Sequence, residues 1–228
     1  MNWFGIRCVQ CQRKLAIPSH HLCSNCYRAI RRFHYCARCG AALSAFALHC
    51  GNCLRQPPHW DQLIITGHYS EPLSNLIHRF KFQRQYWLDH ALARLMLLAI
   101  YDARRHYGLL TRPEVIIPVP LHHLRQWQRG YNQAALIANV LAKKLCIPVD
   151  HQFIQRQKST KTQRGLSAKD RRNNLKNAFQ INAKNDRTYH SIALIDDVIT
   201  TGSTLNEIAL LVKKAGVVHI QVWGIAKT

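Results

Sequence analysis

The sequence predicts an α/β fold in which a mostly parallel sheet carries helices on both faces and follows a small cysteine-rich module. Three observations predict it. From residue 63 onward, short apolar runs alternate with segments of helical periodicity, the pattern of a parallel sheet covered on both sides. Four Cys-x-x-Cys pairs crowd into residues 8–53. Pro57-Pro58 separates the two regions, so the expected division is 1–58 and 59–228. A hydrophobic content of 47% is enough for a real core.

Residues 63–69 read as a strand. Leu73–Phe82 reads as a short helix, with apolar residues at 73, 76, 77 and 80. A long amphipathic helix is predicted over 88–107, then an apolar strand over 115–119 that ends in Pro118-Val119-Pro120. Residues 131–145 form a helix, with Ala134, Ile137, Ala138, Leu141 and Leu145 on one face. Cys146 closes its apolar end and is expected in the core. Strands follow at 148–153, 178–181 and 191–195. A helix over 204–214 ends at Gly216, a C-cap residue, and the last strand covers 217–224.

In the N-terminal region the paired cysteines are Cys8/Cys11, Cys23/Cys26, Cys36/Cys39 and Cys50/Cys53. Each pair presents two sulfurs to one tetrahedral ion, and two pairs close a structural four-cysteine site. Two structural zinc ions and a double zinc-ribbon module are therefore expected. Sequential pairing is the simplest arrangement, and cross-bracing is the alternative. Residues 1–60 contain no Asp or Glu and few large apolar groups, so metal binding is expected to supply the folding of this module.

Residues 192–204 read Ile-Ala-Leu-Ile-Asp-Asp-Val-Ile-Thr-Thr-Gly-Ser-Thr. A buried strand here ends in two carboxylates, followed by a hydroxyl-rich turn and a helix N-terminus. Free amides and the positive dipole end favour phosphate at such a turn. Gly202 lets the backbone approach an anion, and Ser203 or Thr204 can cap the helix. Asp196 and Asp197 suit vicinal hydroxyls, directly or through a divalent cation. A phosphorylated ribose with magnesium satisfies all of these groups. Two further segments are expected at the same sheet edge, where ligands of open α/β sheets bind. One is the stretch after Val119 with Arg125, Arg129 and Gly130-Tyr131-Asn132-Gln133. The other is the basic loop 156–177, long enough to act as a lid.

The chain has 32 Lys and Arg against 11 Asp and Glu, a formal net charge of +21. Zinc-bound thiolates reduce this figure without changing its sign. Such a charge attracts polyanions, and nucleic acid is the expected partner class. No segment has the length of an apolar membrane span, and polar residues interrupt any signal-peptide core. A cytoplasmic protein without membrane insertion is expected.

Taken in order, the cysteine pairs, the Pro-Val-Pro-Leu…Arg-Gly-Tyr-Asn-Gln segment, the Thr-Gln…Leu-Ser…Asn-Leu-Lys-Asn-Ala-Phe segment and the Asp-Asp-Val-Ile-Thr-Thr-Gly-Ser-Thr loop resemble the ComF (competence protein F) family across essentially the whole chain. That loop is also similar to the phosphoribosyl pyrophosphate (PRPP) signature of type I phosphoribosyltransferases. The resemblance implies a zinc-ribbon module joined to a type I phosphoribosyltransferase-like domain, and a role in natural transformation or DNA uptake. It implies that Asp196 and Asp197 bind ribose hydroxyls and that Thr200, Thr201, Gly202, Ser203 and Thr204 bind the 5′-phosphate. A diphosphate loop would include Leu121, His122 and Arg125, and a mobile loop would include Lys158, Lys161 and Arg164. No glutaminase domain accompanies these segments, so glutamine-dependent transfer is not expected.

Three functions fit these features. The first is a competence protein that binds single-stranded DNA through basic surfaces and carries a PRPP site. The second is an active phosphoribosyltransferase of the pentosyltransferase class with an undefined acceptor. The third is a zinc-ribbon adaptor that docks other DNA-uptake proteins. Trp87, Trp127 and Tyr131 are available to stack on bases, although apolar packing is the commoner fate of such residues.

Overall fold

Pairing of the apolar runs produces one four-stranded parallel sheet. A computed structural model describes residues 7–45, 47–107, 111–121, 130–157, 178–182 and 186–228. Its elements in chain order are α1 (Ser24–Arg28), α2 (Gly51–Arg55), β1 (Gln62–His68), α3 (Leu73–Phe82), α4 (Asp89–Tyr107), β2 (Val115–Pro118), α5 (Gln133–Leu145), β3 (Ile154–Arg156), β4 (Phe179–Ile181), β5 (Ser191–Ile199), α6 (Ser203–Lys214) and β6 (His219–Lys227). The sheet order is β1-β6-β5-β2, with every pairing parallel. β3 and β4 pair antiparallel as a separate ribbon.

Alternation along β5 divides the core into two layers. Ala193 and Ile195 join the layer formed with α3, α4 and α5. Ile192 and Leu194 join the layer formed with α6 and the β3–β4 ribbon. Helices thus cover both faces, as the alternating pattern predicts. Asn132 caps α5 by accepting the N–H groups of Ala134 and Ala135.

Several expectations need correction. No strand forms over 148–153. Pro148 has no N–H to give a ladder, Val149 makes a single bridge to Ile116, and Asp150 Oδ1 accepts the N–H groups of Gln152 and Phe153, turning the chain. The strand starts instead at Ile154. Cys146 is exposed, not buried. It is the left-handed C-cap of α5 at φ 54°, which turns the chain away from the apolar face. Helix α6 has Gly202 as its N-cap, without a side-chain cap from Ser203 or Thr204. The Ser203 N–H is taken instead by Thr201 Oγ1 at 3.3 Å.

The cysteine-rich segment shares the core of the α/β body. Cys8, Val9, Leu15, Leu22 and Ile30 belong to the same buried layer as Leu76, Phe80 and Met96. Its backbone also satisfies the outer edge of β1. Leu63 N–H donates to Ala37 O at 2.6 Å, and His68 N–H donates to Arg31 O at 2.9 Å. A Cβ on Gly67 would lie 2.8 Å from Arg31 O, so only glycine admits the chain so close to the strand. Apolar packing therefore gives this segment a means of stability besides the metal binding expected of its cysteines.

Candidate functional site

β2 ends beside the middle of β5, which runs on through Asp196 and Asp197 to Ile199 instead of ending before the two acids. Val119 N–H donates to Ile195 O at 2.9 Å, and Asn132 Nδ2 donates to Val119 O at 3.0 Å. The chain that follows Val119 therefore starts beside the acids. Leu121 is half-buried there. His122, Arg125 and Trp127 lie outside the described residues, as do Lys158, Lys161 and Arg164.

Asp196 and Asp197 differ sharply in environment. Asp196 is half-buried and its Oδ1 accepts the Asp197 N–H at 2.8 Å. Asp197 is only 9% exposed, and its Oδ1 lies 2.7 Å from Lys81 Nζ at the end of α3. Sequence reasoning did not identify Lys81. Its place after Phe80 at the end of an apolar helical face was the available signal, but the partner is more than a hundred positions away in the chain.

Past β5 the chain bends through Thr200 and Thr201, both exposed, to buried Gly202 and half-buried Ser203 and Thr204. Gly202 has φ 74°, and a Cβ there would lie 2.9 Å from the Trp60 ring. Conformation and space both require glycine. Lys227 Nζ donates to Thr200 O at 2.7 Å and holds the bend at its base. Burial lowers the Lys227 pKa. The bend thus places hydroxyls and the first turn of a twelve-residue helix, whose Ser203 N–H is held by Thr201 Oγ1, after the two carboxylates in the chain. Such a set can hold an anion and a neighbouring diol.

The eight paired cysteines form two separate groups. Ligand atoms of Cys8, Cys11, Cys23 and Cys26 lie within 4.8 Å of one another, and so do those of Cys36, Cys39, Cys50 and Cys53. Sequential pairing is thus the arrangement present. The Cys11–Cys23 and Cys39–Cys50 sulfur distances are 3.6 and 3.7 Å. A tetrahedral ion with Zn–S bonds of about 2.3 Å spaces its sulfurs by about 3.8 Å, so both groups suit zinc. Burial disfavours ionisation of Cys8, but the N–H groups of Cys11, Cys23 and Gln10 outweigh it and lower the thiol to about 7. Cys36 is lowered to about 7 by the same balance, with N–H groups from Cys39, Cys50 and Arg38. Cys26 and Cys53 are pushed up by burial and by the sulfurs around them.

A parallel sheet with helices on both faces and an acid-and-glycine bend at its rim defines a domain of the phosphoribosyltransferase type, and the phosphoribosyl transferase domain family matches residues 131–223. Competence protein F of Haemophilus influenzae is 57% identical over 228 residues, covering 100% of this chain and 99% of that protein. The chain belongs to the competence protein F family. The DNA utilization protein YhgH of Salmonella typhimurium is 41% identical, covering 97% of this chain and 96% of its own. Competence protein ComFC of Bacillus subtilis is 27% identical over 83% of this chain and 76% of its own.

Among the described residues, no helix is long and apolar enough to cross a membrane.

Proposed function

We propose that the protein is a cytoplasmic competence factor that binds single-stranded DNA on its basic surface and holds a phosphoribosyl pyrophosphate or a related sugar phosphate at the β5 rim. The observation that carries the sugar-phosphate reading is the order Asp196, Asp197 at the carboxyl half of β5 followed directly by the Gly202 bend and the start of α6. In this reading the amides of Gly202 and Thr204, with that of Ser203 released from Thr201 Oγ1 and the Thr200, Thr201, Ser203 and Thr204 side chains, hold the 5′-phosphate. Asp196 takes the ribose hydroxyls first, because Lys81 holds Asp197. The segment of Leu121, His122 and Arg125 would grip the diphosphate, and Lys158, Lys161 and Arg164 would close over it. Magnesium bound with the ligand would neutralise diphosphate charge. Two zinc ions in the four-cysteine groups would fix the N-terminal segment on the edge of β1.

Support for DNA comes from charge. The N-terminal segment lacks any acid over residues 1–60, while Arg7, Arg13, Lys14, Arg28, Arg31 and Arg32 are exposed. That surface remains cationic around zinc-thiolate centres. The family's link to competence and DNA utilization fits this chemistry.

The test is anisotropy of a labelled single strand across a salt series, alongside PRPP binding with magnesium. Tight, salt-sensitive DNA binding and saturable PRPP binding are expected. A salt-independent DNA profile would remove the DNA half, and absence of PRPP binding would remove the other. Diphosphate release with candidate acceptors reports whether transfer chemistry accompanies binding.

A further inference from the structure

The linker between the two cysteine groups forms one wall of an open cavity that the rim site does not use. It lies between this linker, the outer edge of β1 and α4, with a volume of about 480 Å³. Small-molecule sites occupy roughly 300–1,000 Å³, so it has room for a nucleotide-sized ring system. Tyr27, Phe33, Tyr35 and Tyr107 line it. Tyr35 is fixed in place because its hydroxyl accepts the Ile65 N–H at 3.4 Å.

Polar groups stand around these rings. The Arg32 guanidinium lies 4.4 Å over the Tyr27 ring and is exposed to solvent. Asp102 also lines the cavity, and its carboxylate can accept from an exocyclic amine. Thr66 lines it from β1, and the Thr66 hydroxyl is buried without a hydrogen-bond partner among the described residues. Arg28 and Arg31 are exposed on the same linker, and Arg104 and Arg105 lie in the last turn of α4. Aromatic walls, a hydrogen-bonding acid and a cation at the mouth match a planar base with an attached phosphate better than a purely apolar ligand.

The cavity is separate from the rim. Ile65 on β1 and Asp196 on β5 both register with Gly224 of β6. They are two strands apart, about 10 Å at the usual strand spacing, and the cavity lies beyond the far edge of β1.

We infer that this cavity binds a nucleobase stacked among the linker tyrosines, with its phosphate against Arg32. The base comes from a free nucleoside monophosphate or from one unpaired nucleotide of a nucleic-acid strand. Only the second source rests on the DNA reading above.

The experiment uses the full zinc-loaded chain and two fluorescent probes, aminopurine riboside monophosphate and oligothymidylate carrying one aminopurine. Stacking quenches the probe. Ala99 lines the cavity and is half-buried on α4, so Ala99→Phe fills the space from a helical position. It should weaken quenched binding about tenfold or more, the scale of one base–aromatic stack. Zinc content and melting temperature should stay near wild type. Exposed Arg32→Ala should weaken binding without unfolding. Asp196→Asn/Asp197→Asn should leave quenching intact, because those acids lie at the other site.

Quenching of the mononucleotide that Ala99→Phe abolishes supports the cavity, whether or not DNA binds. Quenching confined to the oligonucleotide and abolished in Ala99→Phe also supports it and assigns the source to a nucleic-acid strand. Quenching by neither probe, or quenching that survives in a well-folded Ala99→Phe protein, overturns the inference. DNA that binds without quenching overturns the cavity assignment and leaves the DNA reading standing. If Ala99→Phe fails to fold, Arg32→Ala decides: wild-type affinity for both probes overturns the inference.

Discussion

Lys81 Nζ at the end of α3 lies 2.7 Å from Asp197 Oδ1, two residues before the end of β5, with side-chain exposures of 15% and 12%. This ion pair ties the first helix after β1 to the acidic rim. A pair this buried depends on both partners, since removing one leaves an uncompensated charge. Lys81→Met should destabilise the fold by roughly 2–4 kcal/mol. Lys81→Met/Asp197→Asn should recover most of that loss. Chemical denaturation of Lys81→Met, Asp197→Asn and the double variant measures the coupling; additive losses would show that the pair contributes nothing.

Gly202→Ala should act locally and strongly. At φ 74°, with a Cβ position 2.9 Å from Trp60, alanine meets both backbone strain and a ring. A stability loss of about 1–3 kcal/mol is expected. Affinity for ribose phosphate, measured calorimetrically, should fall with it. Wild-type affinity in this variant would remove the bend from the phosphate site.

Ile30 belongs to the cysteine-rich segment yet is 2% exposed in the layer formed with α3 and α4. Ile30→Ala should cost about 2–5 kcal/mol of global stability. Zinc chelation should lower the melting temperature of the whole chain for the same reason. The check is far-ultraviolet circular dichroism, whose helical signal comes mainly from the long helices of the α/β body. An unchanged transition after complete metal removal would mean that the segment does not stabilise the α/β body.

DNA affinity should fall linearly on a logarithmic salt scale. Arg28→Ala/Arg31→Ala, at two exposed positions, should reduce that slope by up to about one for each phosphate no longer neutralised. Anisotropy titrations provide the slope. An unaltered slope would place the phosphate-binding cations elsewhere.

Sequence carried local features well and distant ones poorly. Cys-x-x-Cys spacing is local geometry, so the four sulfur pairs are readable without any knowledge of the fold, whereas their sequential grouping comes from the fold. Periodicity identifies Leu73–Phe82 to the residue, because its apolar face is continuous. The strand expected over 148–153 fails on side-chain chemistry, as Asp150 takes two backbone N–H groups that the ladder would have used. Cys146 looks apolar by its neighbours but is a left-handed cap. The Lys81–Asp197 ion pair and the shared packing of Val9 and Leu22 with Phe80 are not readable. Both depend on how distant segments are brought together, which no local pattern encodes.

Isothermal calorimetry of PRPP with magnesium, using wild type and Asp196→Asn/Asp197→Asn, decides whether the β5 rim is a sugar-phosphate site. Saturable one-to-one binding by wild type is expected, with no binding by a double variant that keeps the wild-type fold. Equal heats for both proteins, or none for wild type, would contradict the assignment.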